Sequence, residues 1–251
     1  MSVEDEQFAL ARARNISELG ADTDLQSVSR AWQVRAAKHN YIYNFSWLGR
    51  PIIQLPQDVF AMQELIWSIQ PDLIIETGVA HGGSLIFSAS ILELNAACGG
   101  PVDAEVVGID IDIRAHNRDA IQRHPMFKRI SLIRGSSTSP EIVAQVRNQV
   151  AGKQRVMVCL DSNHTHDHVL AELKAYGPLV SVGSYCVVFD TAIEEVPAEM
   201  SAGRSWGPGN NPTTAVREFL KTTDCFEIDH DLPAKLLITV ASQGYLKRIK
   251  E

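Results

Sequence analysis

Apolar side chains recur along this chain in two rhythms, one typical of helices and the other typical of short buried strands. Residues 56–70 place apolar side chains on one helical face, and Pro71 ends that pattern. The apolar run at 72–76 is too short for a helix and is predicted to be a strand. The chain therefore changes from helix to strand within a few residues of Pro71.

The same alternation continues along the rest of the chain. Further strands are predicted at 105–110, 130–134, 155–160, 184–189, 225–229 and 235–241. Helices are predicted at 84–96, 115–123, from Ser139 onward, 166–176 and 213–221. Strands that alternate with helices form a mostly parallel, doubly wound sheet. The last two predicted strands are joined by DHDLP alone, which is too short for a crossover and predicts an antiparallel hairpin.

This order of elements predicts an α/β protein with a seven-stranded Rossmann-like sheet, the pattern of class I S-adenosylmethionine-dependent methyltransferases. We predict that residues 56–251 form this cofactor-binding catalytic domain and that residues 1–55 form an N-terminal helical extension. The extension contains five aromatic side chains, Trp32, Tyr41, Tyr43, Phe45 and Trp47. We expect these side chains to pack on the catalytic domain or on a partner subunit, so a homo-oligomer is predicted.

Composition narrows the classes of partner. The chain has 251 residues and a net charge of -7, which disfavours general nucleic-acid binding. No apolar stretch reaches the roughly 18 residues of a membrane span, and no secretory signal is expected. Cys159 and Cys186 lie in predicted strands and no CxxC pair occurs, so we expect reduced thiols and a cytoplasmic location.

The turn after the strand at 72–76 carries the most specific local signal. The strand ends on Glu76, and Gly78, Gly82 and Gly83 follow before the next helix. Glycine lets backbone N–H groups approach a ligand at the start of a helix. The spacing fits neither a P-loop nor a dinucleotide fingerprint. An acid before a glycine turn suits the cationic cofactor S-adenosylmethionine, and an ordinary tight turn is the alternative.

Polar residues also follow other predicted strands, at the edge where open α/β sheets bind ligands. Asp110 ends the strand at 105–110 and can accept hydrogen bonds from both ribose hydroxyls, or it can cap a helix. Ser136 follows the strand at 130–134 and can line the adenine pocket or act as a cap. Both residues are therefore candidate cofactor ligands with a structural alternative.

Asp161, His164 and Asp190 form a second group at neighbouring strand ends. Two carboxylates can share Mg²⁺, which prefers oxygen ligands and makes a bound hydroxyl more acidic. His164 is a candidate general base, because histidine side chains exchange protons near neutral pH. The alternative is that Asp161 caps a helix and His164 is a surface loop residue.

Two further patterns bear on the site. His164, His166 and His168 alternate as zinc ligands sometimes do, but the three share no helical face and the cysteines lie elsewhere in the sequence, without the tight Cys/His spacing of structural zinc sites, which disfavours zinc. The segment 197–213 is long and irregular. We predict that this segment is a lid over the substrate with Trp206 stacking on a sugar or another ring, and a mobile surface loop is the alternative.

Several long segments of residues 40–245 resemble the cephalosporin hydroxylase family, whose relatives include metal-dependent sugar O-methyltransferases. The matching segments are QPDLIIETGVAHGGSLIFSAS, VVGIDIDIRAHNR, LDSNHTHDHVLAELKAYGPLVSVGSYCVVFDT and WGPGNNPTTAVREFL. The resemblance implies methyl transfer from S-adenosylmethionine to a hydroxyl of a sugar or glycosylated small molecule. Assistance by Mg²⁺ and a histidine general base are implied as well.

Site residues follow from the matching positions. The resemblance places Asp161 and Asp190 on Mg²⁺, makes His164 the general base beside Asp161, and places Asp110 on the ribose. It also places Glu76, Gly78, His81, Gly82 and Ser84 at the methionine part of the cofactor, and Ser136 is added as a cofactor residue from its position after a strand alone.

The chain departs from the family pattern at Phe189, where many relatives carry a glutamate before the aspartate. Either water, Glu194 or Glu195 replaces this ligand, or the metal is bound weakly or not at all. Two other functions are the alternatives. An oxygenase, as the family name suggests, would need an iron triad that His164-Thr165-His166-Asp167 does not provide in order. The second alternative function is that of a non-catalytic S-adenosylmethionine-binding subunit.

Overall fold

A computed structural model describes residues 2–251. The helices are α1 (Val3–Ala21), α2 (Thr23–Ala37), α3 (Pro56–Ile69), α4 (Gly83–Ala97), α5 (Ala115–Gln122), α6 (Pro140–Val150), α7 (His166–Tyr176), α8 (Pro212–Thr222) and α9 (Asp231–Leu236). The strands are β1 (Phe45–Trp47), β2 (Arg50–Ile52), β3 (Leu73–Thr77), β4 (Glu105–Asp110), β5 (Ile130–Arg134), β6 (Val156–Leu160), β7 (Tyr185–Val188), β8 (Phe226–Ile228) and β9 (Tyr245–Arg248).

Seven of these strands form one sheet in the order β5-β4-β3-β6-β7-β9-β8. Strands β3 to β7 pair in parallel, and β9 pairs antiparallel with both β7 and β8. Every residue of β3 and β6 is buried, because helices cover both faces of the sheet. The predicted doubly wound α/β fold with antiparallel C-terminal strands is confirmed.

The predicted strand at 235–241 is wrong. Residues 231–236 form α9, and the last strand begins only at Tyr245. The apolar run at 236–240 is kept out of the sheet because the buried Asp58 carboxylate accepts hydrogen bonds from the Thr239 hydroxyl and the Val240 N–H. Gly244 then brings the chain back against β7, so closely that a Cβ at this position would lie 1.8 Å from the Val188 carbonyl oxygen.

The segment before α3 contains a β-hairpin that the sequence analysis did not predict. Strands β1 and β2 pair antiparallel around Leu48 and Gly49, both of which have positive φ, as a two-residue hairpin turn requires. Trp47 packs edge-on against Phe87 of α4, with ring centroids 4.9 Å apart, and its indole N–H donates to Ser90. Part of the aromatic cluster therefore packs on the sheet-bearing unit, as expected.

The structure also tests the predictions about the cysteines and about membrane-spanning segments. Cys159 and Cys186 are buried as predicted. Within residues 2–251, none of the helices combines the length and the apolar character that crossing a bilayer requires. The division of the chain at residue 55 stays a prediction.

Candidate active site

A cavity of about 470 Å³ opens at the carboxyl ends of β3, β6 and β7. One wall is the turn between β3 and α4, and a second is the segment that follows β6 and β7. The other walls are residues before α3 and the loop before α8. The predicted site residues that line the cavity are Gly78, His81, Ser84, Asp161, His164 and Asp190. The cavity therefore joins the two groups of polar residues that the sequence placed at strand ends.

The turn between β3 and α4 is held in an unusual backbone conformation. Ala80 has a φ of 45°, a value that costs energy in residues other than glycine. Asn117 donates to the Ala80 carbonyl over 2.9 Å, and Arg50 donates to the His81 carbonyl over 2.6 Å and 3.1 Å. Two side chains from outside the turn thus fix the backbone that lines the cavity.

Glu76 lies behind this turn and not on the cavity wall. The Glu76 carboxylate is 4% exposed and accepts a hydrogen bond from the hydroxyl of Ser84, which does line the cavity. Burial raises the pKa of Glu76 to about 7, although the Ser84 hydroxyl opposes this effect. Glu76 can therefore reach a ligand through Ser84.

Three further predicted cofactor residues lie outside the cavity lining. The Asp110 carboxylate accepts the N–H of Val79 at 2.8 Å and the N–H of Asp112 at 2.9 Å, so it caps the turn. Gly82 precedes α4 with a φ of 80°, where a Cβ would lie 2.4 Å from the Ile121 side chain. The Ser136 hydroxyl lies 3.1 Å from the hydroxyl of Thr138. Asp110 thus holds the turn after β3 and does not cap a helix, and its contact with the ribose stays a prediction.

Asp161, His164 and Asp190 come together across the cavity. One ligand atom of each residue lies within 4.8 Å of the others. His164 Nε2 is 3.4 Å from Asp190 Oδ2, and Asp190 adopts a left-handed φ of 58°. Burial, followed by the negative charges of Asp190 and Glu76, raises the pKa of Asp161 well above its usual value. Within the described part of the chain, this trio is the group of acids and histidines whose ligand atoms lie close enough together to share a metal ion.

The three alternating histidines have three separate environments. His166 contacts the Thr214 hydroxyl at 2.9 Å and the Glu218 carboxylate at 3.2 Å, which docks α7 onto α8. His168 lies 3.1 Å from the Ser162 hydroxyl. The three rings do not form a common group of metal ligands in the described part of the chain, and the absence of zinc stays a prediction.

Phe189 is buried, and neither acid suggested as its substitute joins the metal group. The Glu194 carboxylate accepts the N–H of Gly209 at 2.8 Å and the side-chain N–H of Asn211 at 2.5 Å, which lowers the pKa of Glu194. Glu195 accepts a hydrogen bond from Ser242 at 2.9 Å. Glu194 and Glu195 are therefore bonded to other groups, and water is the one suggested substitute that needs no change in these contacts.

The loop before α8 reaches the cavity, as the lid prediction requires. Trp206 lines the cavity and packs edge-on against His164, with ring centroids 5.4 Å apart. The guanidinium of Arg204 lies 5.4 Å from the centre of the Trp206 ring. Glu194 anchors the far part of this loop through Gly209 and Asn211, so the loop has a defined path over the site.

Sequence reasoning missed several residues that shape the site. These are Gln54 on the cavity wall, Arg50 and Asn117 on the glycine turn, and Asp58 behind the segment that carries Val240. The hairpin signal at Leu48-Gly49 is the one local pattern that would have brought the segment 45–54 into the argument.

The sequence matches a known family over most of its length. Residues 39–249 match the family described as Rhamnosyl O-methyltransferase/CmcI. A rhamnosyl O-methyltransferase of Mycobacterium leprae is 31% identical over 213 residues, covering 83% of this chain and 86% of the relative. A rhamnosyl O-methyltransferase of Mycobacterium tuberculosis is 32% identical over 195 residues, covering 76% of this chain and 73% of the relative.

Solved structures support the fold. A structure of CmcI with Mg and SAM has a TM-score of 0.56 and 19% sequence identity, covering 83% of this chain and 78% of that one. An O-methyltransferase from Bacillus cereus in complex with SAH has a TM-score of 0.55 and 17% identity, covering 91% and 92%. The resemblance to the cephalosporin hydroxylase family is confirmed by the sequence matches, and the chain belongs to the rhamnosyl O-methyltransferase/CmcI family.

Proposed function

We propose that this protein transfers the methyl group of S-adenosylmethionine to a hydroxyl of a sugar or glycosylated small molecule. The observation that carries the proposal is a single cavity bounded on one side by a glycine turn and on the other by His164 with two carboxylates. The rhamnosyl O-methyltransferases among the relatives support a sugar as the acceptor.

The glycine turn fits the amino-acid end of the cofactor. Gly78 passes so close to the next strand end that a Cβ would lie 2.1 Å from the Asp161 carbonyl oxygen, so the backbone itself lines the cavity here. Gly83 begins α4, whose first N–H groups favour a carboxylate. The Ser84 hydroxyl and the His81 side chain offer further polar contacts at the same wall.

The group of Asp161, His164 and Asp190 fits a divalent cation. Two carboxylates are ligands of the kind that Mg²⁺ prefers, and Mg²⁺ usually keeps several waters besides. Asp161 and Asp190 would hold the ion, which when bound makes a coordinated hydroxyl more acidic. Phe189 has no ligand atom at the position where the family pattern places a glutamate. Water would therefore complete the coordination of the ion in this chain.

His164 is the proposed proton acceptor. The acceptor hydroxyl oxygen attacks the methyl carbon as the carbon–sulfur bond breaks, and its proton passes to His164 Nε2. Asp190, 3.4 Å from Nε2, stabilises the imidazolium that results. Trp206 packs edge-on against the His164 ring and helps to orient it. These side chains therefore contribute by positioning the reactants and by accepting the proton.

Binding and turnover are tested separately. S-adenosylhomocysteine should bind the purified protein in calorimetry, and mass spectrometry should detect one added methyl group on a member of a rhamnoside panel. The variant His164→Ala should keep cofactor affinity and lose turnover by about 100-fold or more, the usual contribution of a general base. A protein that binds no S-adenosylhomocysteine would contradict the proposal, and binding without turnover on any glycoside would favour the non-catalytic alternative.

An oxygenase activity is less consistent with the site. A facial triad for iron uses two histidines and one carboxylate, whereas the trio found here has one histidine and two carboxylates.

Assembly into homo-oligomers and a cytoplasmic location stay predictions from the sequence. Light scattering and fractionation of the source cells would test them.

A further inference from the structure

Gln54 is a buried polar side chain on the wall of the cavity. The side chain is 6% exposed, and its Oε1 atom makes no hydrogen bond with any part of residues 2–251. Other buried polar atoms in the described chain share this condition, but Gln54 is the one among them that lines the cavity. A buried polar atom without a partner is destabilising, so such an atom at a cavity wall points to a ligand.

The position of Gln54 is fixed from both sides. On the N-terminal side, Pro51 and Ile52 press on the start of α4, where a Cβ at Gly83 would lie 2.1 Å from the Pro51 carbonyl oxygen. On the C-terminal side, Asp58 binds Thr239 and Val240. Gln54 therefore lies on a segment that borders the first turn of α4, where the proposed function places the cofactor's amino-acid end.

We infer that the Gln54 carboxamide binds the α-ammonium and α-carboxylate of the methionine part of S-adenosylmethionine, an inference that rests on the proposed function. A carboxamide matches these two groups, because its oxygen accepts from the ammonium and its NH₂ donates to the carboxylate. The carboxylate also meets the N-terminal end of α4, which favours negative charge. Gln54 thus selects a donor that carries an intact amino-acid end.

The test compares two ligands that differ only in this end. S-adenosylhomocysteine carries the amino-acid group, and 5′-methylthioadenosine keeps the nucleoside and sulfur but lacks it. The variant Gln54→Leu should weaken S-adenosylhomocysteine binding in calorimetry by about 10- to 100-fold, the range of one hydrogen bond to a charged group. Its affinity for 5′-methylthioadenosine should stay within a factor of about two of wild type, because that ligand makes no contact with the carboxamide.

Thermal unfolding of the unliganded protein separates binding from structure. Gln54→Leu removes an unpartnered polar atom from the interior, so its melting temperature should equal or exceed that of wild type. Gln54→Met, with an unbranched side chain of similar length, is the second variant if the leucine variant folds poorly. Gln57→Leu is the matched control, because Gln57 Oε1 is also buried without a partner but does not line the cavity.

The outcomes divide cleanly. Loss of S-adenosylhomocysteine affinity alone, with Gln57→Leu unchanged, supports the inference. Unchanged binding of both ligands to the Gln54 variants overturns it and leaves the proposed function intact. An equal loss for both ligands also overturns it, because the cavity has then changed as a whole. A wild-type protein that binds neither ligand overturns the inference and the proposed function together.

Discussion

Gly78 lies against the backbone of Asp161 so closely that a Cβ at position 78 would be 2.1 Å from the Asp161 carbonyl oxygen and 3.1 Å from the Cα of Ser162. Gly78 also has a φ of 90°, which side-chain-bearing residues rarely adopt. The turn after β3 and the segment after β6 are therefore one packed unit. A change on the cofactor side must displace the segment that carries Asp161 and His164.

The variant Gly78→Ala tests this coupling. We expect it to weaken S-adenosylhomocysteine binding and Mg²⁺ binding together, and to lower the free energy of unfolding by about 2 kcal/mol or more, because the added methyl group meets backbone and the left-handed φ becomes strained. Calorimetry with each ligand and urea unfolding measure these effects. Gly49→Ala, also at positive φ but with open space around its Cα, is the control for strain alone. Loss of one binding event without the other would refute the coupling.

Asp190 is expected to be required for the metal. The variant Asp190→Asn should weaken Mg²⁺ binding by about 10-fold or more, because a charged ligand becomes neutral, and chelation of the wild-type protein should lower turnover likewise. Glu195→Gln is the control, since Glu195 lies in the segment after Asp190 and bonds to Ser242 instead. Equal Mg²⁺ affinity in wild type and Asp190→Asn would remove Asp190 from the metal site.

The raised pKa of Glu76 predicts how this residue makes the stability of the unliganded protein depend on pH. The pKa of Glu76 is raised from 4.5 in an exposed glutamate to about 7 in the folded state. Between these values the folded state holds a proton that the unfolded chain releases, so the contribution of Glu76 to the free energy of unfolding is highest below the lower pKa and falls as the pH rises to 7. Asp58, whose pKa burial raises to about 6, adds a slope of the same sign.

The neutral variant Glu76→Gln should lose the part of this dependence that belongs to Glu76. It should be more stable than wild type at pH 8 by about 3 kcal/mol, while the two proteins should converge below pH 4.5. Urea unfolding across this pH range measures the difference. Parallel curves for the two proteins would show that Glu76 keeps an ordinary pKa.

Asp58 is expected to be a major contributor to stability. Its carboxylate accepts the Thr239 hydroxyl, the Val240 N–H at 2.9 Å and the Tyr245 hydroxyl at 2.9 Å. Asp58→Ala leaves these buried donors without an acceptor and should cost about 3 kcal/mol or more in the free energy of unfolding. Asp58→Asn keeps one oxygen and should cost less, and equal losses in the two variants would contradict this reading of the contacts.

Trp206 is expected to act on the acceptor and not on the cofactor. The variant Trp206→Ala should raise the KM for the glycoside several-fold and leave the Kd for S-adenosylhomocysteine unchanged, because the indole lies over His164 on the side of the metal group. Trp67→Ala, at a half-exposed tryptophan outside the cavity lining, is the matched control. A change confined to cofactor affinity would contradict the lid assignment.

The local pattern of apolar and polar residues predicted the elements that are equally buried along their whole length. Strand β3 is buried along its whole length and therefore reads as a continuous apolar run, and its observed bounds differ from the predicted 72–76 by one residue. The run at 236–240 looks similar in sequence but forms no strand, because Asp58, far away in the chain, takes the hydrogen bonds of Thr239 and Val240. No pattern within the run itself contains that information.

The candidate site residues that the sequence predicted follow from local spacing, whereas those that it missed depend on contacts between distant segments. Asp161, His164 and Asp190 were found because parallel strands bring their carboxyl ends to one edge, which alternation alone predicts. Gln54 and Arg50 were missed because a hairpin outside the sheet carries their segment onto α4, a contact that the local spacing does not encode.

Strand β9, the last in the chain, lies between β7 and β8 and not at a sheet edge. Strand β8 therefore reaches the sheet through Tyr245–Arg248 alone, because β9 pairs with β7 on one side and with β8 on the other. Val240 lines the cavity a few residues before β9, and its N–H donates to the Asp58 carboxylate. A version of the chain cut before Tyr245 would lose both pairings of β9 and also one hydrogen-bond donor to the Asp58 carboxylate that holds Val240 at the cavity wall.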